Sequence, residues 1–254
     1  MNSKQVTTAG AIALTLLVNV PGLMANDGPS TQLSNGQYAT RPVDRNARKP
    51  WETLFDGKTL SGWHIYQKPG QPVTEKWVVQ DGAIHLTAGG VGDLVTDKAY
   101  GDFELEVDWK IAEGGNSGII YHVQEDPKFK ATYQTGPEMQ VLDNERHPDA
   151  KAGRDGNRTA GSLYDLQKPV TPNAAKPAGE WNKARLVIKD GKAEQYLNGK
   201  KTAEYPTSGP EWDKMVSESK FKGWEGFGKY PTGKIALQDH GNQVWYRNIR
   251  IREL

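Results

Sequence analysis

From Phe103 to Ile111 the chain alternates without a break: Phe103, Leu105, Val107, Trp109 and Ile111 are apolar, and Glu104, Glu106, Asp108 and Lys110 are charged. A period of two sends the two sets to opposite faces of a β-strand, one for a core and one for water. Other segments repeat the theme. Ser117 to Val123 is a second strand, entered through the turn Glu113-Gly114-Gly115-Asn116. Trp181 to Lys189 and Lys192 to Leu197 flank Asp190-Gly191, a favoured pair in two-residue hairpin turns, and Asn198-Gly199 supplies the next turn. Earlier short strands flank Asp81-Gly82, and the chain closes on Val244 to Arg252, with Ile249 and Ile251 opposite Arg250 and Arg252. One helix is expected, Glu211 to Ser219, with Pro210 at its start and Trp212, Met215, Val216 and Ser219 on one stripe. Helices do not alternate with strands, which argues against a doubly wound parallel sheet, and no fixed-period repeat suggests a propeller or solenoid. The expectation is an all-β chain of two antiparallel sheets packed as a sandwich, with one short helix and a concave face.

The N-terminus reads as an export signal. Lys4 supplies positive charge, Ala9 to Val20 is mostly apolar, Pro21-Gly22 breaks the run, and Ala25 is the expected last residue before cleavage. The run is too short to span a bilayer as a helix, and no later segment suits insertion. Without cysteine there is neither a disulfide nor a lipid-bearing N-terminal Cys, so export points to a bacterial periplasm or exterior. Residues 26–49, rich in Asn, Gly, Ser, Thr and Pro, read as a flexible lead-in, and residues 50–254 as one domain. The net charge of +1 comes from interspersed acids and bases, with no basic stripe for nucleic acid or an anionic membrane. A neutral partner fits better, and 8 Trp and 10 Tyr offer flat surfaces suited to sugar rings once the core has taken its share.

Familiar catalytic arrangements are missing: no cysteine nucleophile, no Gly-x-Ser-x-Gly elbow, no phosphate loop and no dinucleotide motif. Gly89-Gly90-Val91-Gly92 lacks the strand, helix and lysine context of such a loop. His122 and His147 have no metal-ligand spacing, although folding could gather them near Glu138 or Asp143; neither a metal nor a cofactor is expected. What remains is polar residues on strands. In Gly136-Pro137-Glu138-Met139-Gln140-Val141-Leu142-Asp143, alternation places Glu138 and Gln140 on one side and Met139 and Val141 on the other. Two polar side chains on an otherwise apolar strand are costly to bury without partners. They suit either a solvated outer face or a face open to a polar ligand. Retaining glucanases on curved sandwiches have similar spacing but carry acids throughout. They need two carboxyl groups about 5–5.5 Å apart, Gln140 is neither of them, and Asp143 joins that face only through a bulge. Gln238-Asp239-His240-Gly241 forms a second cluster, in which Gln238 and His240 project together and His240 suits proton transfer.

In order along the chain, Leu54-Phe55-Asp56-Gly57 with Leu60-Ser61-Gly62-Trp63, Asp102-Phe103-Glu104-Leu105 and Gly115-Asn116-Ser117-Gly118-Ile119 precede the Glu138 segment. Gly161-Ser162-Leu163-Tyr164-Asp165, Gly179-Glu180-Trp181-Asn182, Leu197-Asn198-Gly199, Ser219-Lys220-Phe221, Leu237-Gln238-Asp239-His240-Gly241 and Arg247-Asn248-Ile249-Arg250 follow it. This ordered set resembles the bacterial 3-keto-disaccharide (3-keto-glycoside) hydrolase family. The resemblance implies a concanavalin-A-like jelly-roll sandwich and an enzyme that cleaves 3-keto-glycosides, which the N-terminal signal would place in the periplasm or outside the cell. A ketone at C3 acidifies the C2 proton, so one base can start an elimination at C1, and later addition of water gives net hydrolysis. On matching positions and polar character, Glu138 and His240 are the catalytic base and acid in either order. Gln140 and Asn116 hold sugar hydroxyls or the enolate oxygen, Tyr164 and Asp143 line the site, and Gln238 joins the substrate contacts. Two other readings stay open: a conventional glycoside hydrolase on intact glucans, and a non-catalytic carbohydrate-binding module.

Overall fold

The computed structural model describes residues 49–73 and 75–254; the expected signal and residues 26–48 of the expected lead-in lie outside the described residues. In chain order the strands are β1 (Glu52–Thr53), β2 (Trp63–Ile65), β3 (Trp77–Gln80), β4 (Ala83–Leu86), β5 (Leu94–Thr96), β6 (Phe103–Ile111) and β7 (Asn116–Val123). They continue as β8 (Glu138–Leu142), β9 (Asn182–Lys189), β10 (Lys192–Leu197), β11 (Lys200–Pro206), β12 (Lys234–Leu237) and β13 (Val244–Glu253). Every pairing is antiparallel. One sheet runs β11-β10-β9-β6-β13-β4-β3 with β1 alongside β13, and a five-stranded sheet runs β2-β5-β12-β7-β8. Packed face to face, they make the expected jelly-roll sandwich.

The alternation in β6 is realised as read. Phe103, Leu105, Val107, Trp109 and Ile111 are all in the core, while Glu104 and Glu106 pair across the outer face with Arg185, Arg252, Lys183 and Arg250. The hairpin turns follow their sequence signals too. Asp81-Gly82, Asp190-Gly191 and Asn198-Gly199 each place both residues at positive φ, the geometry that matches the twist of the flanking strands. Among the described residues the one α-helix, α1, spans Pro210–Ser217 and ends sooner than expected. Ser219 leaves the helix because its hydroxyl and amide both turn back to the Val216 carbonyl. Only Trp212 of its stripe is fully buried, stacked on Phe227 and close to the Tyr205 ring. No described helix is long and apolar enough to cross a membrane.

Polar bridges tie the sheets together beneath the outer face of β7. Ser117 Oγ donates to the Gln238 carbonyl (2.6 Å) and accepts from the Tyr246 hydroxyl of the opposite sheet (2.7 Å). Tyr121 and Tyr205 make a second hydroxyl pair across the sandwich at 2.5 Å. A buried hydroxyl that loses its partner forfeits a hydrogen bond and stays desolvated. Tyr246→Phe is therefore expected to lower stability by about 1–2 kcal/mol in urea unfolding, with an unchanged m-value; a variant as stable as the wild type would show that the bridge carries no net weight.

Candidate functional site

β8 lies at the edge of the five-stranded sheet, and all of its residues are buried. The solvated-face alternative for this strand is thereby excluded. Met139 and Val141 point into the core between the sheets. Glu138 and Gln140 point the other way, into a cleft of about 350 Å³ lined also by Asn116, Tyr133, Tyr164, Lys220, Phe221, Trp224, Gln238 and His240. Its floor is buried: Asn116, Glu138, Gln140 and Gln238 are each less than a tenth exposed. Tyr133, Lys220 and His240 keep access to solvent.

The free edge of β8 is closed by the segment Gly161 to Asp165. Gly161 N–H donates to the Gln140 carbonyl, Gln140 N–H to that of Ser162, and Tyr164 N–H to that of Glu138, at 2.9–3.1 Å. On the other side, Glu138 and Gln140 pair with Ile120 and Gly118 of β7. The Glu138 side chain lies directly over Gly118, so a Cβ there would sit 2.1 Å from Glu138 Oε1. Glycine at 118 is thus the space the carboxyl occupies. Out of water and without a hydrogen-bonded partner among the described residues, Glu138 is pushed up by burial to about 8, against the opposing pull of the Lys220 ammonium.

A chain of charged contacts frames the far wall. The Tyr164 hydroxyl donates to Asp149 Oδ2 (2.8 Å), and Arg158 joins Asp149 (3.0 Å) to Asp165 (2.7 Å). Asp165 Oδ2 then accepts the Lys220 backbone N–H (2.8 Å), fastening the loop after α1 to the edge of β8. Lys220 Nζ lies 4.1 Å from the centre of the Tyr164 ring. Lys220 keeps solvent access, but its head group lies in a concavity crowded with protein atoms, and that partial desolvation lowers its pKa.

His240 is held by its neighbour. Asp239 Oδ2 accepts N–H bonds from Val91 (2.8 Å) and Gly92 (3.0 Å), and Asp239 N–H donates to Asp93 (2.8 Å). The two loops touch so closely that a Cβ on Gly89 would come 2.2 Å from Gly241 Cα. This is the role of Gly89-Gly90-Val91-Gly92, a brace for the His240 loop. Asn116 Nδ2 lies 3.5 Å from His240 Nε2, and the His147 ring packs edge-on at 5.9 Å.

Folding therefore gathers Glu138, Gln140, Asn116, Gln238, Tyr164 and His240 into one cleft, and it does not bring Asp143 there. Asp143 Oδ2 accepts from Gly114 N–H (2.7 Å) and Oδ1 from Glu145 N–H (3.0 Å), which fixes the turn before β7. Burial works to raise Asp143, but those donors together with Arg146 hold it below the usual carboxylate range. Tyr164 lines the wall with its ring, since its hydroxyl is committed to Asp149. His147 does reach His240, whereas His122 is in β7 with its Nε2 on the Gly101 carbonyl (3.1 Å), away from the cleft. Sequence reasoning missed Lys220, Phe221, Tyr133 and Trp224. The segment Ser219-Lys220-Phe221 was the available signal for the first two.

Two buried atoms on the cleft floor, Gln140 Nε2 and Gln238 Oε1, have no hydrogen-bond partner among the described residues. Buried polar atoms are nearly always satisfied, so an unmatched donor and acceptor facing one cleft mark a place for a polar ligand. A larger cavity of about 650 Å³ shares Trp224 with this cleft and is lined by Trp212, Phe227 and His122. None of its residues carries such an unmatched atom, so the chemistry belongs to the smaller space. Among the described residues no group of three or more His, Asp, Glu or Cys side chains is arranged to hold a metal ion.

Two outcomes follow from the placement of Glu138. Gly118→Ala adds a Cβ that the flexible carboxyl can evade, so turnover should fall at least tenfold while the thermal midpoint moves by only a few degrees; full activity would show that this position of Glu138 is not needed. The raised carboxyl also links stability to pH. The unfolded chain loses the Glu138 proton near the ordinary value of 4.5 and the folded chain near 8. The contribution of the protonated group is complete below 4.5 and is lost as pH rises through about 8, at about 1.4 kcal/mol per pH unit between the two. Glu138→Gln should accordingly raise the thermal midpoint at pH 9 and lose that advantage toward pH 4; a constant difference across this range would contradict the shift.

Residues 50–252 match the model of the 3-keto-alpha-glucoside-1,2-lyase-like domain. A 3-keto-disaccharide hydrolase from Bacteroides thetaiotaomicron is 39% identical over 239 residues, covering 84% of this chain and 80% of the relative. Two crystal structures from Parabacteroides distasonis, each described as a candidate glycosyl hydrolase, superpose well. One has a TM-score of 0.73 at 36% identity, covering 80% of this chain and 94% of that one. The other has a TM-score of 0.62 at 27% identity, covering 81% and 100%. With its jelly-roll fold and a polar cleft built around one buried carboxyl, the chain belongs to the 3-keto-alpha-glucoside-1,2-lyase-like family and is a carbohydrate-active enzyme of the glycoside hydrolase and lyase type.

Proposed function

We propose that this enzyme cleaves 3-keto-disaccharides or 3-keto-glycosides by elimination, with net hydrolysis once water has added, and that it is exported to the periplasm or beyond. The observation that carries the reading is that, among the described residues, Glu138 is the sole carboxyl group lining the cleft. Hydrolysis of an intact glycoside by the usual route requires two carboxyl groups. Asp143 is engaged in its turn, and Asp149 is behind the Tyr164 ring, tied to Tyr164 and Arg158. A ketone at C3 removes the need for the second acid because it makes the C2 proton removable by a single base.

In this mechanism the C2–H bond breaks, the proton passes to Glu138 and the electron pair forms the enolate across C2 and C3. Collapse of the enolate restores the C3 ketone, forms the C1–C2 double bond and expels the C1 oxygen, which takes a proton from His240. Water then adds across the C1–C2 bond in a separate step. Glu138 on the floor suits the base, since a carboxylate raised toward 8 is a stronger base than an ordinary one. His240 on the open rim suits a leaving group that must depart toward solvent. Gln140, Gln238 and Asn116 hold the hydroxyls of the oxidised ring. Homology to the Bacteroides 3-keto-disaccharide hydrolase supports the substrate. The apolar run at the N-terminus supports export, and export without cysteine fits a bacterial periplasm or exterior.

Purified enzyme incubated with 3-keto-trehalose and with trehalose should release sugar from the ketone alone. Equal or faster cleavage of trehalose would overturn the reading, and release from neither would favour a binding module. With Glu138 as base, kcat/KM should climb as pH rises toward about 8, because the free enzyme must lose that proton first. A rate that instead falls through the same pH would make Glu138 the acid.

A further inference from the structure

We propose that Lys220 is a catalytic residue whose ammonium group holds the C3 oxygen of the substrate and stabilises the enolate formed there. The inference rests on the elimination reading and adds the group that reading lacks, a cation at the oxygen where negative charge develops. The geometry is specific. Lys220 lines the same cleft as Glu138, and its Nζ makes neither an ion pair nor a hydrogen bond among the described residues. Around the rest of the sandwich, by contrast, Arg158, Lys183, Arg185, Lys201, Lys234, Arg250 and Arg252 all pair with carboxylates.

The position of Lys220 is held from behind. Its backbone N–H is on Asp165 Oδ2, Asp165 is on Arg158, Arg158 is on Asp149, and Asp149 takes the Tyr164 hydroxyl. That last bond turns the face of the Tyr164 ring toward the ammonium, which rests on it at 4.1 Å. An aromatic face attracts a cation without using up its N–H donors, so Lys220 is localised and its hydrogen bonds stay free for a ligand. A charged donor fixed in advance near a developing oxyanion needs little reorganisation during reaction, which is where electrostatic catalysis gains most. The lysine proton is shared with the enolate oxygen and stays on nitrogen when the ketone is restored, so the step is balanced without a further reagent. An unoxidised glycoside offers a hydroxyl at C3 and develops no such charge, which makes Lys220 a determinant of ketone selectivity as well.

The test compares wild type, Lys220→Met and Lys220→Arg on 3-keto-trehalose, following both sugar release and uptake of solvent deuterium at C2. Removing an oxyanion donor typically costs about 10²–10³-fold. Lys220→Met should therefore lose about that much in kcat and in kcat/KM alike, with C2 exchange slowed in parallel and the thermal midpoint nearly unchanged. Lys220→Arg keeps the charge and should recover part of the loss. A Lys220→Met enzyme within threefold of wild type, or one whose whole defect lies in KM, would overturn the catalytic role while leaving the elimination reading intact. Trapping of the wild-type protein on the substrate by borohydride, at Lys220, would also overturn it, since the lysine would then form an imine with the ketone. A wild type that ignores the ketone would overturn both readings together.

Discussion

The site depends on one desolvated carboxyl held above one glycine. Glu138 can lie across β7 because Gly118 has no side chain, and its environment offers it no hydrogen-bonded partner among the described residues. Burial of this kind works against the charged form, so the group is retained at a cost to stability that grows with pH. A chain shaped only for stability would place an apolar residue there. The arrangement makes sense once the space above Glu138 is reserved for a ligand whose polar atoms complete those of Gln140 and Gln238.

Keeping that carboxyl in place requires β8 to be rigid although it is an edge strand. Edge strands expose unpaired backbone groups, and here the segment Gly161 to Asp165 pairs with them. The same segment then reaches outward: Tyr164 supplies the wall, and Asp165, at a positive φ of 62°, turns its carboxylate to Arg158 and to the backbone of Lys220. Edge protection and site construction are thus one device. On the opposite rim, Asp239 ties the His240 loop to residues 91–92, so both rims are fixed by aspartates that bind backbone amides from distant parts of the chain.

The architecture was largely legible because its signals are local. Alternation in β6 and the Asp-Gly and Asn-Gly turns of β3–β4, β9–β10 and β10–β11 are properties of a few adjacent residues, and each is realised. Ser219 was assigned to α1 by its stripe position, yet its hydroxyl competes for the Val216 carbonyl and ends the helix. The cleft is legible from strand alternation at Glu138 and Gln140, and at Asn116 only through the segments that carry the family resemblance. Asp143 enters the site only through the family resemblance; alternation already sets it apart from the Glu138 face, and the Gly114 amide claims it. Lys220 has no signal beyond the short segment Ser219-Lys220-Phe221, which gives it no role. A lysine in a polar loop is ordinary, and what distinguishes this one is the Tyr164 ring and the Asp165 carboxylate, both brought to it only by folding.

The pairing of a buried acid with a cleft of amides also bears on the proposal that this site takes a ketone. A glycosidic bond in an intact sugar is broken through an oxocarbenium-like state, which asks the protein for negative charge near C1. The cleft has little to give: its one carboxyl among the described residues is raised toward neutrality, and Lys220 adds positive charge. An enolate asks for the reverse, a base that is strong because it is desolvated and a positive group near the C3 oxygen. The electrostatic sign of the cleft therefore opposes the cationic route and favours the anionic one.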